Sequence, residues 1–353
     1  MSIRLFIVDD SAFMRKAISM MVEDADDVQV VGTARDGLEA IEKIKKLHPD
    51  VVTLDIEMPR MDGLTALRRI MQECPVPVIM VSSLTYEGAR ETIEALETGA
   101  IDFIPKQFSF VSMGQVEINE QLLQKIRAAA ESRFRRFRKR IARKPITPPK
   151  QIHFPRMPSV KIIVVGISTG GPLSLQKVIP RLPAEFPVPI AIVQHMPPNF
   201  TRLLAERLDN LSALHVVEAQ DNMPLSPGQV FIAPGGWHLY LRKRINETLI
   251  RLSKEPRDLL FRPSADVLFE SASQIYGKDV LGIVMTGMGK DGLQGAKKIK
   301  QAGGKIIAQD EDTSVVYGMP RVVVEAGIAD AVLPLEKIPQ ALSQAVGIQT
   351  VPI

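Results

Sequence analysis

The sequence is short of the residues that staple, ligate or span. It holds one cysteine, Cys74, in 353 residues, which rules out an intramolecular disulfide and a cysteine-rich zinc site. No uninterrupted apolar run reaches the roughly 18 residues of a membrane span. The N-terminal stretch meets Asp9 and Asp10 before the apolar region of a signal peptide could develop. These absences predict a cytoplasmic protein without membrane insertion. Only five histidines occur, His48, His153, His195, His215 and His238, so any histidine chemistry must choose among them. Net charge is small as well, with 44 Lys and Arg against 40 Asp and Glu. That balance hides an asymmetry. Residues 125–150 hold 11 basic residues and one acid, Glu131, leaving 33 basic against 39 acidic elsewhere. A basic segment inside an acidic protein is not a whole-surface nucleic-acid footprint. Residues 156–353 also carry no helix-turn-helix pattern and no basic and aromatic reading surface, so no nucleic-acid partner is expected.

What is present is an ordinary globular mix, 45% hydrophobic and 24% charged. The length suits about two domains of roughly 150 residues. Through residue 106, short apolar runs (Leu5–Val8, Val28–Val31, Val51–Leu54, Val76–Val81, Ile101–Ile104) alternate with helically spaced apolar residues. That alternation predicts a five-stranded parallel, flavodoxin-like sheet over residues 1–108. Residues 109–143 read as one long helix, which Pro145, Pro148, Pro149, Pro155 and Pro158 then interrupt, giving a basic helical linker over 109–155. A second alternation, over residues 156–353, predicts a doubly wound α/β domain. Its strands are Ile162–Val165, Ile190–Val193, Val230–Ile232, Val280–Met285 and Lys305–Ala308, and a hairpin (His238–Arg242, Leu249–Leu252) is inserted.

Ligands of open α/β sheets bind at the carboxyl ends of strands. Asp9 and Asp10 end the first strand, Asp55 the third, Ser82 the fourth and Lys106 the fifth. Converging carboxylates repel unless a hard cation neutralises them, and Mg²⁺ suits such oxygen donors. With a lysine and a hydroxyl beside them, these are the parts for phosphorylating an aspartate. The stretches Phe6-Ile-Val-Asp-Asp10, Val52-Thr-Leu-Asp-Ile-Glu-Met-Pro59, Met61-Asp-Gly63 and Gly99-Ala-Ile-Asp-Phe-Ile-Pro-Lys106 resemble the receiver domain of response regulators. The resemblance implies that Asp55 accepts phosphate from a histidine kinase, with Mg²⁺ on Asp10 and Asp55. It implies that Ser82 and Phe103 are the switch residues. The family usually has proline after the lysine, where this chain has Gln107.

The second domain carries another set of strand ends. Gly166-Ile-Ser168-Thr-Gly170 has the spacing of a nucleophile elbow, a sharp strand-to-helix turn that exposes a serine. Gln194-His195-Met-Pro and Thr286-Gly-Met-Gly-Lys-Asp291-Gly close two further strands. Serine, histidine and aspartate at three strand ends suit acyl transfer through a serine nucleophile. Three competing readings stay open. His238, after a strand and two glycines, rivals His195, and Asp291 could simply cap the helix that it opens. Gly287-Met-Gly289-Lys-Asp-Gly292 is also a literal dinucleotide-binding pattern, with Asp310 where a ribose-binding acid would stand. A response regulator with a dinucleotide-binding or nucleic-acid-binding output domain is therefore the alternative.

Together with Ile232-Ala-Pro-Gly235 and Val316-Tyr-Gly-Met-Pro320, these stretches resemble the catalytic domain of the chemotaxis protein-glutamate methylesterases. The order of the two domains is similar too. The resemblance implies demethylation of glutamate γ-methyl esters on chemotaxis receptors, deamidation of certain receptor glutamines, and no cofactor for the esterase. It implies Ser168 as nucleophile, His195 as base, Asp291 as its orienter, the Met288 N–H as oxyanion donor, and Thr169 as a residue that helps position the histidine. It also implies that the receiver restrains the esterase until Asp55 is phosphorylated. Ile167 departs from the family's usual alanine.

Overall fold

The computed structural model describes residues 2–106, 119–131, 160–245 and 247–348. They belong to two compact units, Met1–Ile146 and Thr147–Ile353. Gln107, the ends of the expected 109–143 helix, the proline-rich linker and His153 lie outside the described residues. No described helix is long and apolar enough to cross a membrane.

The first unit is an open parallel sheet of β1 (Ile3–Val8), β2 (Val28–Ala34), β3 (Val51–Asp55), β4 (Val78–Ser82) and β5 (Asp102–Pro105). The spatial order is β2-β1-β3-β4-β5, which is the flavodoxin-like order. Central strands buried on both faces must be apolar throughout, and Leu5, Phe6, Ile7 and Val8 are all fully buried. The helices α1 (Ala12–Met21), α2 (Gly37–Leu47), α3 (Gly63–Glu73) and α4 (Tyr86–Thr98) are each started by a side-chain cap. Ser11, Asp36, Asp62 and Thr85 accept from backbone N–H groups of the first turns. Residues 119–131 form a further helix, α5. Its Lys125 bonds Asp102 at 2.8 Å, and Arg127 holds Asp27 through two 2.7 Å bonds.

The second unit has seven parallel strands: β6 (Ile162–Ile167), β7 (Ile190–Gln194), β8 (His215–Glu218), β9 (Gln229–Ile232), β12 (Val280–Val284), β13 (Lys305–Gln309) and β14 (Ala331–Leu333). Their order is β14-β13-β12-β6-β7-β9-β8. From β6 the chain passes to β7 and the edge strand β8, inserts β9 between those two, and then crosses to build outward through β12, β13 and β14 on the other side. The reversal falls between β6 and β12, where a doubly wound sheet opens its crevice. Strand β14, only three residues long, escapes sequence reading because period-based signals need longer runs. The inserted hairpin forms as expected, from β10 (His238–Lys243) and β11 (Thr248–Ser253), paired antiparallel. Helices α6 (Gly171–Val178), α7 (Phe200–Leu211), α8 (Ala265–Tyr276), α9 (Leu293–Gln301), α10 (Met319–Glu325) and α11 (Ile338–Ala345) complete the unit. Helix α8 packs Leu268, Phe269 and Ala272 into the core shared by β6, β12 and the hairpin.

Candidate active site and phosphoacceptor pocket

In the first unit, three carboxylates converge at the ends of β1 and β3. Ligand oxygens of Asp9, Asp10 and Asp55 lie within 4.8 Å of one another. Asp9 and Asp55 are fully buried. Lys106, from the end of β5, bonds Asp55 Oδ1 at 2.6 Å, and the Glu57 N–H donates to the same oxygen. Oδ2 of Asp9 and Oδ2 of Asp55 are buried with no hydrogen-bond partner among the described residues. Orphaned buried oxygens are expensive, and a hard cation is the partner that such a donor set fits. Burial, with Asp9 adding repulsion, pushes Asp55 up to about 6 although the Lys106 bond pulls the other way. Burial also raises Asp9. Burial works against the Lys106 ammonium, but its bond to Asp55 and the nearby carboxylates raise it overall.

Ser82 ends β4 as expected, yet its hydroxyl is not turned to the carboxylates. It is spent on Gly88 O at 3.0 Å and on the Thr92 hydroxyl at 2.7 Å, both in α4. The first turn of α4 supplies a carbonyl within reach, and a buried hydroxyl takes it. Phe103 is buried in β5, with the Lys125 ammonium 5.5 Å from its ring centre.

In the second unit, the crevice between β6 and β12 gathers the second set. Ser168 follows β6 in a turn where Gly170 adopts φ 77°, a left-handed conformation that glycine takes without a Cβ clash. The Ser168 N–H donates to Thr286 O, and Ser168 O accepts from Gly171 N–H and from buried Gln194. Gly166, at the register of Val284 and Val193, lets α8 approach: a Cβ there would lie 2.7 Å from that of Ala265. His195 follows β7, and its Nε2 lies 2.7 Å from Asp291 Oδ2. Its Nδ1 is buried without a hydrogen-bond partner among the described residues.

Asp291 caps a helix, but not the one it precedes. Helix α9 starts after Gly292, and the acid that accepts from its first turn is Asp266, at Gly295 N–H. The carboxylate instead accepts from Ser264 Oγ (2.7 Å), Ala265 N (2.6 Å) and Asp266 N (3.1 Å) at the start of α8. Burial would raise Asp291, but the His195 bond and these donors hold it down at about 2. Asp266 accepts from the Gly295 N–H at 2.7 Å, yet burial and the Asp291 charge push it up to about 6. An ionised acceptor at Nε2 keeps the proton there, so Nδ1 carries the bare lone pair of neutral His195.

The other candidates separate on geometry. His238 is fully buried at the start of β10, where Nε2–H donates to Pro256 O and burial lowers its pKa. It is a structural histidine. Asp310 accepts from the Thr313 N–H and hydroxyl, a turn cap rather than a ribose acceptor. In the glycine pattern, Gly287 is bonded through both its N–H and its O to residues 316–319, and Asp291 is already spent. Dinucleotide binding is thereby unsupported. The Met288 N–H makes no hydrogen bond among the described residues. Thr169 is buried, with its carbonyl accepting from the Thr286 hydroxyl, which also bridges Val316. The sequence reading passed over Gln194, Ser264, Thr286, Gln309 and Phe261. Gln309 accepts from Thr286 N–H, and Phe261 stacks on His195. Single polar or aromatic residues without a spacing pattern carry no signal in one sequence.

Residues 163–342 match the CheB methylesterase family, and residues 5–116 the response regulator receiver domain. The chain belongs to the CheB methylesterase family. A protein-glutamate methylesterase/protein-glutamine glutaminase of Oleidesulfovibrio alaskensis is 48% identical, over 98% of this chain and 99% of that protein. One from Pyrococcus horikoshii is 47% identical, over 98% and 94%. The crystal structure of the Thermotoga maritima CheB methylesterase catalytic domain is 49% identical over 52% of this chain and 97% of that domain, with a TM-score of 0.51. The receiver and the parallel-sheet catalytic domain expected from the sequence are both present.

The raised Asp55 pKa gives a stability prediction. Its folded value, about 6, lies above its unfolded value, so its stabilising proton is present at low pH and lost as pH rises through 6. Ionising folded Asp55 therefore costs stability at neutral pH, on the order of 2–3 kcal/mol. Metal-free Asp55→Asn is expected to be more stable than the parent at pH 7, with the gap closing by about pH 4. Urea melts of both proteins across that range check this, and a gap independent of pH would contradict it.

Proposed function

We propose that Ser168, His195 and Asp291 form the hydrolytic centre of a receiver-controlled protein-glutamate methylesterase and protein-glutamine glutaminase. The observation that carries the reading is the bond between His195 Nε2 and an Asp291 held ionised by the start of α8. Ser168 Oγ attacks the carbonyl carbon of a glutamate γ-methyl ester, and His195 Nδ1 accepts its proton. The Asp291 carboxylate stabilises the imidazolium without taking the proton. The Met288 N–H, free of protein acceptors among the described residues, receives the oxyanion. His195 returns the proton to the departing oxygen and methanol leaves. Water, deprotonated at the same nitrogen, then attacks the acyl-serine and releases the glutamate. With glutamine the leaving group is ammonia and the steps are the same. Thr169, beside the nucleophile, helps to hold this arrangement.

The substrates on this reading are chemotaxis receptors in their cytoplasmic helices, which puts the enzyme in the cytoplasm. The phosphodonor is the chemotaxis histidine kinase, and Asp55 is the acceptor. Asp10 and Asp55, with Asp9 beside them, would hold Mg²⁺, and when bound it neutralises carboxylate and phosphoryl charge. Lys106 places a second cation at the acceptor. Phosphorylation of Asp55 relieves a restraint that the receiver imposes on the esterase, a two-state device.

Three outcomes are expected. Ser168→Ala abolishes methanol release from methylated receptor membranes, and wild-type release would refute the nucleophile. Asp291→Asn lowers kcat by about 10³–10⁴, through loss of the tautomer-fixing charge. It also costs about 1–3 kcal/mol in urea melts, since one of the two oxygens that accept at the start of α8 becomes a donating NH2. A small phosphodonor with Mg²⁺ raises the rate of the full chain but not of Asp55→Asn or of residues 156–353 alone. Equal rates in all of these would remove the restraint.

A further inference from the structure

The segment between β11 and α8 lays Phe261 on the face of His195. The ring centroids are 4.2 Å apart and the planes differ by 7°. This contact answers a problem that the triad leaves open. The Asp291 bond fixes the imidazole at Nε2 only. Nδ1 is buried without a hydrogen-bond partner among the described residues, so no second hydrogen bond from them fixes the ring plane. The terminal torsion of histidine is broad and does not fix it either. A parallel phenyl face does. Both constraints come from one stretch of chain. Ser264 and Ala265, just beyond Phe261, hold Asp291. Between them and Phe261, Arg262 O accepts from Gly236 N–H. Phe261 also lies beside the loop that carries Met288: a Cβ on Gly289 would come within 3.9 Å of Phe261 Cε2.

We propose that Phe261 is a positioning residue of the esterase, holding the His195 ring in the plane in which Nδ1 meets the Ser168 proton. This rests on the reading of Ser168, His195 and Asp291 as the hydrolytic centre. The stacked face also offers its π electrons to the imidazolium formed in the transition state. Phe261 touches no reacting bond, so its loss is read in kcat rather than in substrate affinity. It is only half-buried, so truncation leaves the core intact.

The experiment is methanol release from methylated receptor membranes by the full chain, with thermal melting alongside. Small misplacements of a catalytic group cost up to about a hundredfold. Phe261→Leu is expected to lower kcat by about tenfold to a hundredfold with KM within about twofold. Phe261→Tyr, which keeps the ring plane, is expected to recover most of kcat. Should the leucine variant melt early, Phe261→Met makes the same comparison with a side chain of similar length and no plane. Unchanged kcat in the planeless variants, a rise in KM alone, or a tyrosine variant as impaired as leucine would overturn the inference. Ser168→Ala, run in parallel, separates the two claims. An active Ser168→Ala removes the hydrolytic centre itself, whereas an inactive one beside a fully active Phe261→Leu removes only the role of Phe261.

Discussion

The carboxylate of Asp291 is the constraint on which the catalytic unit turns. It is a buried charge, and a buried charge without partners is too costly to keep. Its partners are the first N–H groups of α8, the Ser264 hydroxyl and the His195 ring. The helix start needs an acceptor, and the carboxylate needs donors and a positive field. Satisfying both puts α8 against the end of β6, which Gly166 permits, and leaves the imidazole with one fixed tautomer. The fold and the chemistry share one interaction here. Removing the charge would loosen a helix and misassign a proton together.

The receiver unit treats its buried carboxylates in the opposite way. Asp291 has its donors and stays ionised at about 2. Asp55 has one lysine and one backbone N–H on one oxygen, nothing on the other, and rises to about 6. The difference lies in the donors. A satisfied carboxylate can orient another group but binds nothing more. An under-satisfied cluster keeps oxygens in reserve for a cation and a phosphoryl group. One architecture, a parallel sheet with acids at its strand ends, thus yields a satisfied, ionised acid in one unit and an under-satisfied carboxylate cluster in the other.

Much of this was legible in the sequence because both sites lie at strand ends. Strand ends are marked by apolar runs that stop at a polar residue, and that signal located Asp9, Asp10, Asp55, Lys106, Ser168, His195 and Asp291. What stayed hidden depends on side-chain direction across long separations. Ser82 falls where expected, yet its hydroxyl serves α4 because Gly88 O and Thr92 are nearer partners. The helix cap read for Asp291 exists, but on α8, whose start lies about 26 residues earlier. No local pattern distinguishes capping the next helix from capping a distant one. Phe261 is a lone aromatic in a loop, and only the folded chain brings it to His195.

The chain order serine, histidine, aspartate follows from the strand order. Ser168 sits on β6, the strand where winding reverses. His195 belongs to β7 on one side of it, and Asp291 follows β12 on the other. The pair between histidine and aspartate therefore bridges the end of the serine's own strand. An aspartate arriving from that side meets the imidazole at Nε2 and leaves Nδ1 without a hydrogen-bond partner among the described residues, whereas in serine proteases the carboxylate meets Nδ1. In that orientation the ring's second nitrogen cannot also hold the ring to the protein. Some other contact must define its plane, and the segment that caps α8 brings Phe261 to it. Strand order thus brings the carboxylate to Nε2, and the same segment that starts α8 brings the Phe261 ring to the imidazole face.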